Sequence, residues 1–160
     1  EILKLLHQSA HPISASALAE RFSVTRQVIV GDIALLRSSG ADILATPRGY
    51  CIQGAAPGLV RRVAVRHTPH RMETELNIMV DNGCTVVDVI VEHPLYGQLT
   101  GSLQLSTRAE VEQFMARSLT TQPLSALTGG IHLHTLLCPD EAAFQRVREA
   151  LRQEDILLED

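Results

Sequence analysis

Apolar residues in the first third of the chain recur with the period of an α-helix. Residues 1–10 predict one helix, and Ser14 is a suitable N-cap for a second. The spacing of Ile29, Ile33 and Leu36 predicts a third helix with one buried face. Because only a tight turn separates the second and third helices, this stretch has the helix-turn-helix pattern.

A β-hairpin is predicted directly after this motif. Residues 43–46 and 50–52 favour short strands around Pro47-Arg48-Gly49, which places Arg48 at the tip. A hairpin that follows the recognition helix is a wing, and its basic tip contacts the sugar-phosphate backbone or the minor groove. Residues 1–53 are therefore predicted to form a winged helix-turn-helix domain.

The pattern changes after the small, proline-punctuated stretch "QGAAPGL", and residues 54–58 are interpreted as a linker. The order of elements over residues 59–160 is β-α-β-β-α-β-α, a ferredoxin-like pattern with one extra helix, in an α/β (α+β) protein. The predicted strands span 59–67, 84–93, 98–106 and 129–138, and the predicted helices span 68–83, 107–119 and 140–154.

Charge divides the chain in the same way. Residues 1–66 carry eight Lys/Arg against four Asp/Glu, whereas residues 67–160 carry six Arg against fourteen acids. A basic head with this motif favours double-stranded DNA as partner, although a three-helix module for protein contacts has the same pattern. The candidate DNA-binding residues are Thr25, Arg26 and Gln27 at the start of the third helix, together with Arg37 and Arg48 for backbone contacts.

Composition bears on the cellular location that is expected for the protein. No apolar run approaches the ~20 residues of a membrane span, and no signal peptide is visible, so no membrane association is expected. Cys51, Cys84 and Cys138 are odd in number and lack a C-x-x-C pair. A disulfide framework or a cysteine zinc site is therefore not expected, and the cytoplasm is the default location.

"GGIHLHTL" places His132 and His134 on the same face of a strand. In the predicted sheet the first and fourth strands are antiparallel neighbours, which brings His67 beside this pair. Glu75, on the flank of the buried face of the following helix, can swing back toward the same sheet end. Three imidazoles and one carboxylate suit a divalent transition metal, with Zn, Ni, Fe and Mn all open.

Other interpretations of these residues stay open. In the competing interpretation, His132 and His134 are surface residues and Glu75 is a solvated charge on its helix, while His70 competes with His67 as a ligand. In "VEHPLYGQL", His93 and Tyr96 either shape a turn or line a ligand cleft or an intersubunit contact. A ferredoxin-like order is expected to put this hairpin at the opposite end of the sheet from His67.

Two groups of segments resemble a known family. "HPISASALAERFSVTRQVIVGDIALLR" and "ILATPRGYCI" look like the winged-helix half of the nicotinate-responsive repressors of NAD biosynthesis. "RHTPHRMETELNIMVDNGCTVVDVIVEHPLYGQLTGSL" and "PLSALTGGIHLHTL" resemble their three-histidine (3H) regulatory domain. Gly31 departs from the glutamine typical of that recognition-helix position, which leaves the operator preference open.

The resemblance implies a homodimeric, non-enzymatic repressor that senses nicotinic acid, a small pyridine, as co-repressor. It also implies one metal ion per subunit, held by His67, Glu75, His132 and His134, the same residues that the topology selects. Two other functions remain open: a regulator for which the metal itself is the signal, and a small metallo-hydrolase with a helix-turn-helix appendage.

Overall fold

A computed structural model describes residues 1–54, 58–119, 123–124 and 129–159. The chain divides into two compact units, Glu1–Ala56 and Pro57–Asp160. The division falls within the segment 54–58 interpreted as a linker, of which residues 55–57 lie outside the described residues. In the described part of the chain, no helix combines the length and the apolar character needed to cross a bilayer.

Three helices and a hairpin form the first unit. Its caps follow the sequence, since the side chains of Ser14 and Thr25 accept hydrogen bonds from backbone N–H groups in the first turns of their helices. A core of aliphatic side chains, among them Leu18, Ile29 and Ile33, joins the helices. The elements are α1 (Ile2–Gln8), α2 (Ala15–Phe22), α3 (Arg26–Ser38), β1 (Ile43–Thr46) and β2 (Gly49–Ile52).

The wing is fixed to Ile13, the residue just before the N-cap of α2. Ile13 and Tyr50 exchange both backbone hydrogen bonds, at 2.9 and 2.8 Å, and so extend the β1–β2 hairpin by one bridge. Gly49 makes this approach feasible because it has φ 134°, and a Cβ there would lie 2.4 Å from the carbonyl carbon of Ile13. The winged helix-turn-helix predicted from the sequence is therefore present.

The second unit is one antiparallel sheet with helices on one face. It has the predicted order of elements: β3 (Leu59–Arg66), α4 (Met72–Asp81), β4 (Thr85–His93), β5 (Gly97–Leu105), α5 (Arg108–Ser118), β6 (Ile131–Cys138) and α6 (Glu141–Gln153), with a short 3-10 helix (Pro69–Arg71) before α4. The α+β class is confirmed, and so is the antiparallel pairing of the first and fourth strands of this unit.

The strand order is β3-β6-β4-β5. Both β3 and β4 run antiparallel to β6, so they are parallel to each other and end at the same side of the sheet. The expectation that the β4–β5 hairpin lies at the opposite end from His67 is therefore wrong. The reason is that a β-α-β connection joins β3 to β4 and leaves them parallel, so both strands end on the side where β6 begins.

Helices α4, α5 and α6 cover one face of the sheet with an aliphatic core. Cys84 and Cys138 belong to it: their sulfur atoms lie 2.9 Å apart, and burial raises the pKa of the Cys84 thiol to about 12. These thiols are far apart in the sequence but pack together as small apolar side chains. At the outer edge of β3, Leu157 forms an antiparallel bridge with Val65, so a segment beyond α6 covers that edge.

Gly31 lies inside α3, exposed, with no atom within 4 Å of the position that a Cβ would take. Gly31→Ala is expected to stabilise the first unit by up to about 1 kcal/mol, because alanine costs less backbone entropy in a helix. Urea unfolding measures the effect, and Gly49→Ala is the matched control that destabilises. A loss of stability in Gly31→Ala would contradict this account of the helix.

Candidate metal centre

Three histidines of the second unit are each held through Nδ1 by a backbone carbonyl. Because a carbonyl oxygen only accepts hydrogen bonds, each Nδ1 carries a proton, and each Nε2 of a neutral ring is left as an acceptor. The pairs are His67 with Thr68 at 2.7 Å, His132 with Gly130 at 2.9 Å and His134 with Asp88 at 2.7 Å.

The three Nε2 atoms meet at one carboxylate. Those of His132 and His134 lie 3.0 and 2.7 Å from Oε1 of Glu75, and that of His67 contacts Oε2. All four side chains are no more than 3% exposed. Groups that are all acceptors in their ordinary states therefore face one another away from solvent, and such a cluster requires protons or a metal cation.

The fold brings these four side chains together from β6, α4 and the connection after β3. Residues His132 and His134 lie on β6 opposite Val65 and Val63, on the face that the helices cover. Glu75 lies in the first turn of α4 and is fully buried. A register shift in β4 next to Asp88 turns the carbonyl of that residue toward the ring of His134.

Gly130 contributes through its backbone. Its carbonyl oxygen accepts hydrogen bonds from the N–H of His67, at 3.4 Å, and from Nδ1 of His132. It has φ 91°, and a Cβ there would lie 2.3 Å from the carbonyl oxygen of His67. The sequence did not predict Gly130 and Asp88 as supports of the site. The Gly129-Gly130 pair before β6 was the available signal for Gly130.

Burial and charge oppose each other at this cluster. Burial alone would raise the pKa of Glu75, but the charge of His134 and hydrogen bonds from all three imidazoles hold it well below its ordinary value. Burial alone would lower the pKa of His67 and of His134, but hydrogen bonding and attraction to Glu75 raise both. The metal-free cluster therefore favours an ionised Glu75 beside protonated rings of His67 and His134.

The donor set fits a divalent transition metal. The ligand atoms of His67, Glu75 and His132 lie within 4.8 Å of one another, and His134 joins them through Glu75. Among the described residues, Nε2 of His134 has no hydrogen bond of good geometry, although Oε1 of Glu75 lies 2.7 Å away. This placement of Nε2 and Oε1 is the one expected of two neighbouring ligands of one metal ion. The hydrogen bonds from Nδ1 to backbone carbonyls are of the kind that orients metal-binding histidines.

The other candidates from the sequence lie elsewhere. His70 is exposed in the short helix after β3, and the cluster of ligand atoms contains His67 instead. His93 accepts backbone hydrogen bonds from Leu95 and Tyr96 through Nδ1, and its ring lies 5.1 Å from that of Tyr96. His93 and Tyr96 thus shape the β4–β5 turn, which lies at the same side of the sheet as His67.

In the first unit, the proposed DNA-binding residues lie on α3 and the wing. Thr25 caps α3, and Arg26 and Gln27 are exposed in its first turn. Arg37 is exposed in the last turn, whereas Arg48 is only half-exposed in the turn between β1 and β2.

Comparison with known proteins covers both units. A model of the 3H domain matches residues 60–160, and a model of a helix-turn-helix domain matches residues 1–51. The chain belongs to the 3H-domain family. The "Probable transcription repressor NiaR" of Thermotoga maritima is 46% identical over 99% of this chain and 92% of its own length. The "Transcription repressor NadR" of Bacillus subtilis is 42% identical over 100% of this chain and 92% of its own.

These relatives confirm the resemblance to a family of repressors. Both relatives are named as transcription repressors, and the chain is accordingly a regulator rather than an enzyme. The four clustered residues, His67, Glu75, His132 and His134, all lie within the matched 3H domain.

The opposed pKa shifts define a pH dependence for the metal-free protein. Glu75, whose pKa is lowered, stabilises the folded unit above the unfolded carboxyl value of about 4.3. His67 and His134, whose pKa values are raised, stabilise it below the unfolded imidazole value of about 6.5. Stability is therefore expected to be greatest between these values and to fall as the pH rises through the folded pKa of the histidines.

Glu75→Gln is expected to lower the pKa of His67 and His134 below the ordinary value, because burial then acts without a compensating charge. NMR titration of the imidazoles in the presence of a chelator measures both, and urea unfolding over the same pH range reports the stability. Glu73→Gln, an exposed change in the same helix, is the control. Raised pKa values that persist in Glu75→Gln would refute the role of this carboxylate.

Proposed function

We propose that this protein is a homodimeric transcription repressor that binds operator DNA through its winged head and senses nicotinic acid through a metal centre in the 3H domain. The observation that carries the sensor half is the convergence of three Nε2 atoms on the buried carboxylate of Glu75. The repressor half is supported by the helix-turn-helix match and by the printed names of both relatives.

His67, Glu75, His132 and His134 would hold one divalent transition metal per subunit, with Zn, Ni, Fe or Mn compatible with the three nitrogens and one oxygen. When bound, such an ion supplies a Lewis acid that attracts a carboxylate or a pyridine nitrogen. The carbonyls of Thr68, Gly130 and Asp88 fix the three rings, so that the site is oriented before any ligand arrives.

Nicotinic acid carries both a carboxylate and a pyridine nitrogen, which suits this centre. We place His93 and Tyr96 at the approach to it, because β4 neighbours β6 and its hairpin lies at the side of the sheet where β6 begins. Tyr96 is 70% exposed and stands beside the His93 ring, so its aromatic face is available to a flat ligand. Localisation in the cytoplasm follows from this role.

Repression requires that the effector favour one arrangement of the two heads. A coupling of about 1–3 kcal/mol between effector and operator binding is typical of such systems. Two recognition helices one turn of DNA apart, ~34 Å, would contact the two halves of a palindrome.

A metal-responsive regulator without organic ligand is the second candidate. It is favoured by one observation: all four candidate ligands are at least 97% buried, and four protein ligands leave little room for an effector. The gel-shift experiment below separates the two candidates. The metallo-hydrolase interpretation is not supported, since both relatives are repressors.

Nicotinic acid is expected to tighten operator binding of the metal-loaded protein by about fivefold to 150-fold, and a chelator is expected to abolish this response. His132→Ala is expected to lose the response while retaining basal DNA binding, since it removes one imidazole from the cluster. Gel-shift titrations with nicotinic acid and nicotinamide measure these effects, with exposed His70→Ala as the matched control.

The result separates the proposals. Repression that follows the metal concentration and ignores both pyridines would favour the metal-responsive regulator. A nicotinate response that persists in His132→Ala would exclude the metal-centred mechanism, while DNA binding would stand.

Two residues of α3 are expected to make different kinds of contact with DNA, one to a base and one to a phosphate. Gln27→Ala should cost about 1–3 kcal/mol on the operator and little on a scrambled duplex, if its amide contacts a base edge. Arg37→Ala should weaken both duplexes alike and reduce the salt slope by about one, as a phosphate contact does. Fluorescence anisotropy at several salt concentrations measures both, with Arg146→Ala on α6 as control. Equal losses on the two duplexes for Gln27→Ala would remove this residue from base readout.

A further inference from the structure

The face of the sheet opposite the helices carries an ordered charge pattern. Val60 on β3 is 59% exposed, and Ile131 on β6 is 44% exposed. Arg62 and Arg66 on β3 and Glu92 on β4 are exposed, and none of the three forms an ion pair within the described residues. We call this surface, defined by the alternate residues of β3, β6 and β4 that point away from the helices, the open face.

Strand register arranges the open face in three rows. Arg66 pairs with Ile131, and Glu92 stands level with them because it lies two residues beyond Ile90, which pairs with Leu133. Each outer row has an arginine on β3 and an acid on β4, and the middle row is apolar. From the edge on β3 the rows are Arg66–Ile131–Glu92, Ala64–Leu133–Ile90 and Arg62–Thr135–Asp88.

We propose that the open face is the surface through which two copies of this chain form the homodimer. The inference rests on the proposed function, which requires a dimer but does not say where the subunits meet. The partner is a second copy because the pattern is complementary to itself: β3 and β4 lie on either side of β6 and carry opposite charges at the same level.

The geometry of a two-fold axis makes this concrete. Consider a two-fold axis that runs parallel to β6 and lies above the open face. A second copy related by this axis has its β3 opposite β4 of the first copy, and its β4 opposite β3. Level along the strands is preserved, so Arg66 of one subunit meets Glu92 of the other, and Leu133 meets its own copy. Sheets that pack face to face in this way lie about 10 Å apart with nearly aligned strands, and a two-fold interface of this kind is self-complementary.

The charges set the specificity of this interface, and the exposed apolar side chains of Val60 and Ile131 contribute most of the apolar surface that a second copy would bury. Asp88 already accepts a hydrogen bond from the N–H of Thr135, so Glu92 is the acid that is available to a second copy. Each Arg66–Glu92 contact occurs twice in the dimer, and a charge reversal therefore acts twice.

Sedimentation equilibrium of the full-length protein tests the proposal. Arg66→Glu and Glu92→Arg are each expected to raise the dimer Kd at least about tenfold, because like charges then face each other across the interface. The double variant R66E/E92R is expected to recover most of the wild-type affinity, since opposite charges meet again. The matched controls are Arg146→Glu on α6 and Glu112→Arg on α5, exposed positions on the helix side of the sheet.

The experiment distinguishes failure of this interface from failure of the proposed function. Single variants that dimerise like wild type, or a double variant that does not recover, would overturn the open face as the interface and mean that something else covers it. The nicotinate response of the operator complex would be untouched by that result. A wild-type protein that stays monomeric at every concentration would instead overturn the homodimer and this interface together.

Discussion

A carboxylate and three imidazoles buried in one place form the constraint on which the second unit depends. Each ring donates Nδ1–H to a backbone carbonyl, so that Nε2 is left to face Glu75. Four acceptor groups are unstable together in a nonpolar interior unless positive charge lies between them. The site is therefore specified by its need for a cation, and protons and metal ions compete for the same atoms.

The fold meets this need with ordinary means. Antiparallel pairing of β3 and β6 places the end of one strand beside the beginning of the other, and α4 packs Glu75 over both. The three Nδ1–H groups donate to the backbone carbonyls of Thr68, Gly130 and Asp88, whose positions are set by the sheet and its connections rather than by side-chain identity. The arrangement that orients the ligands is thus as rigid as the sheet itself.

The helices, the wing and the four clustered residues follow from sequence because their signals are local or nearly so. Caps such as Thr25 and Asp140 fix helix starts, and the alternation of His132 and His134 fixes their common face. The strand order was not predictable in the same way, because it depends on β6, the last strand, entering between β3 and β4, which is a choice of tertiary packing. The side of the sheet on which His93 lies follows instead from the parallel β3-α4-β4 connection, and the expectation from the sequence had that direction wrong.

Residues 156–158 pair with the outer edge of β3 and hold the end of that strand in place. Arg66 donates its N–H to Ile156, and Leu158 donates its own to Ala64, so these residues bind the stretch of chain that leads directly into His67. Ile156 is itself part of the core. Proteolytic trimming back to Asp155, or a bulky fusion that pulls this segment away, would fray β3 from its free side and loosen the anchorage of the first histidine from behind.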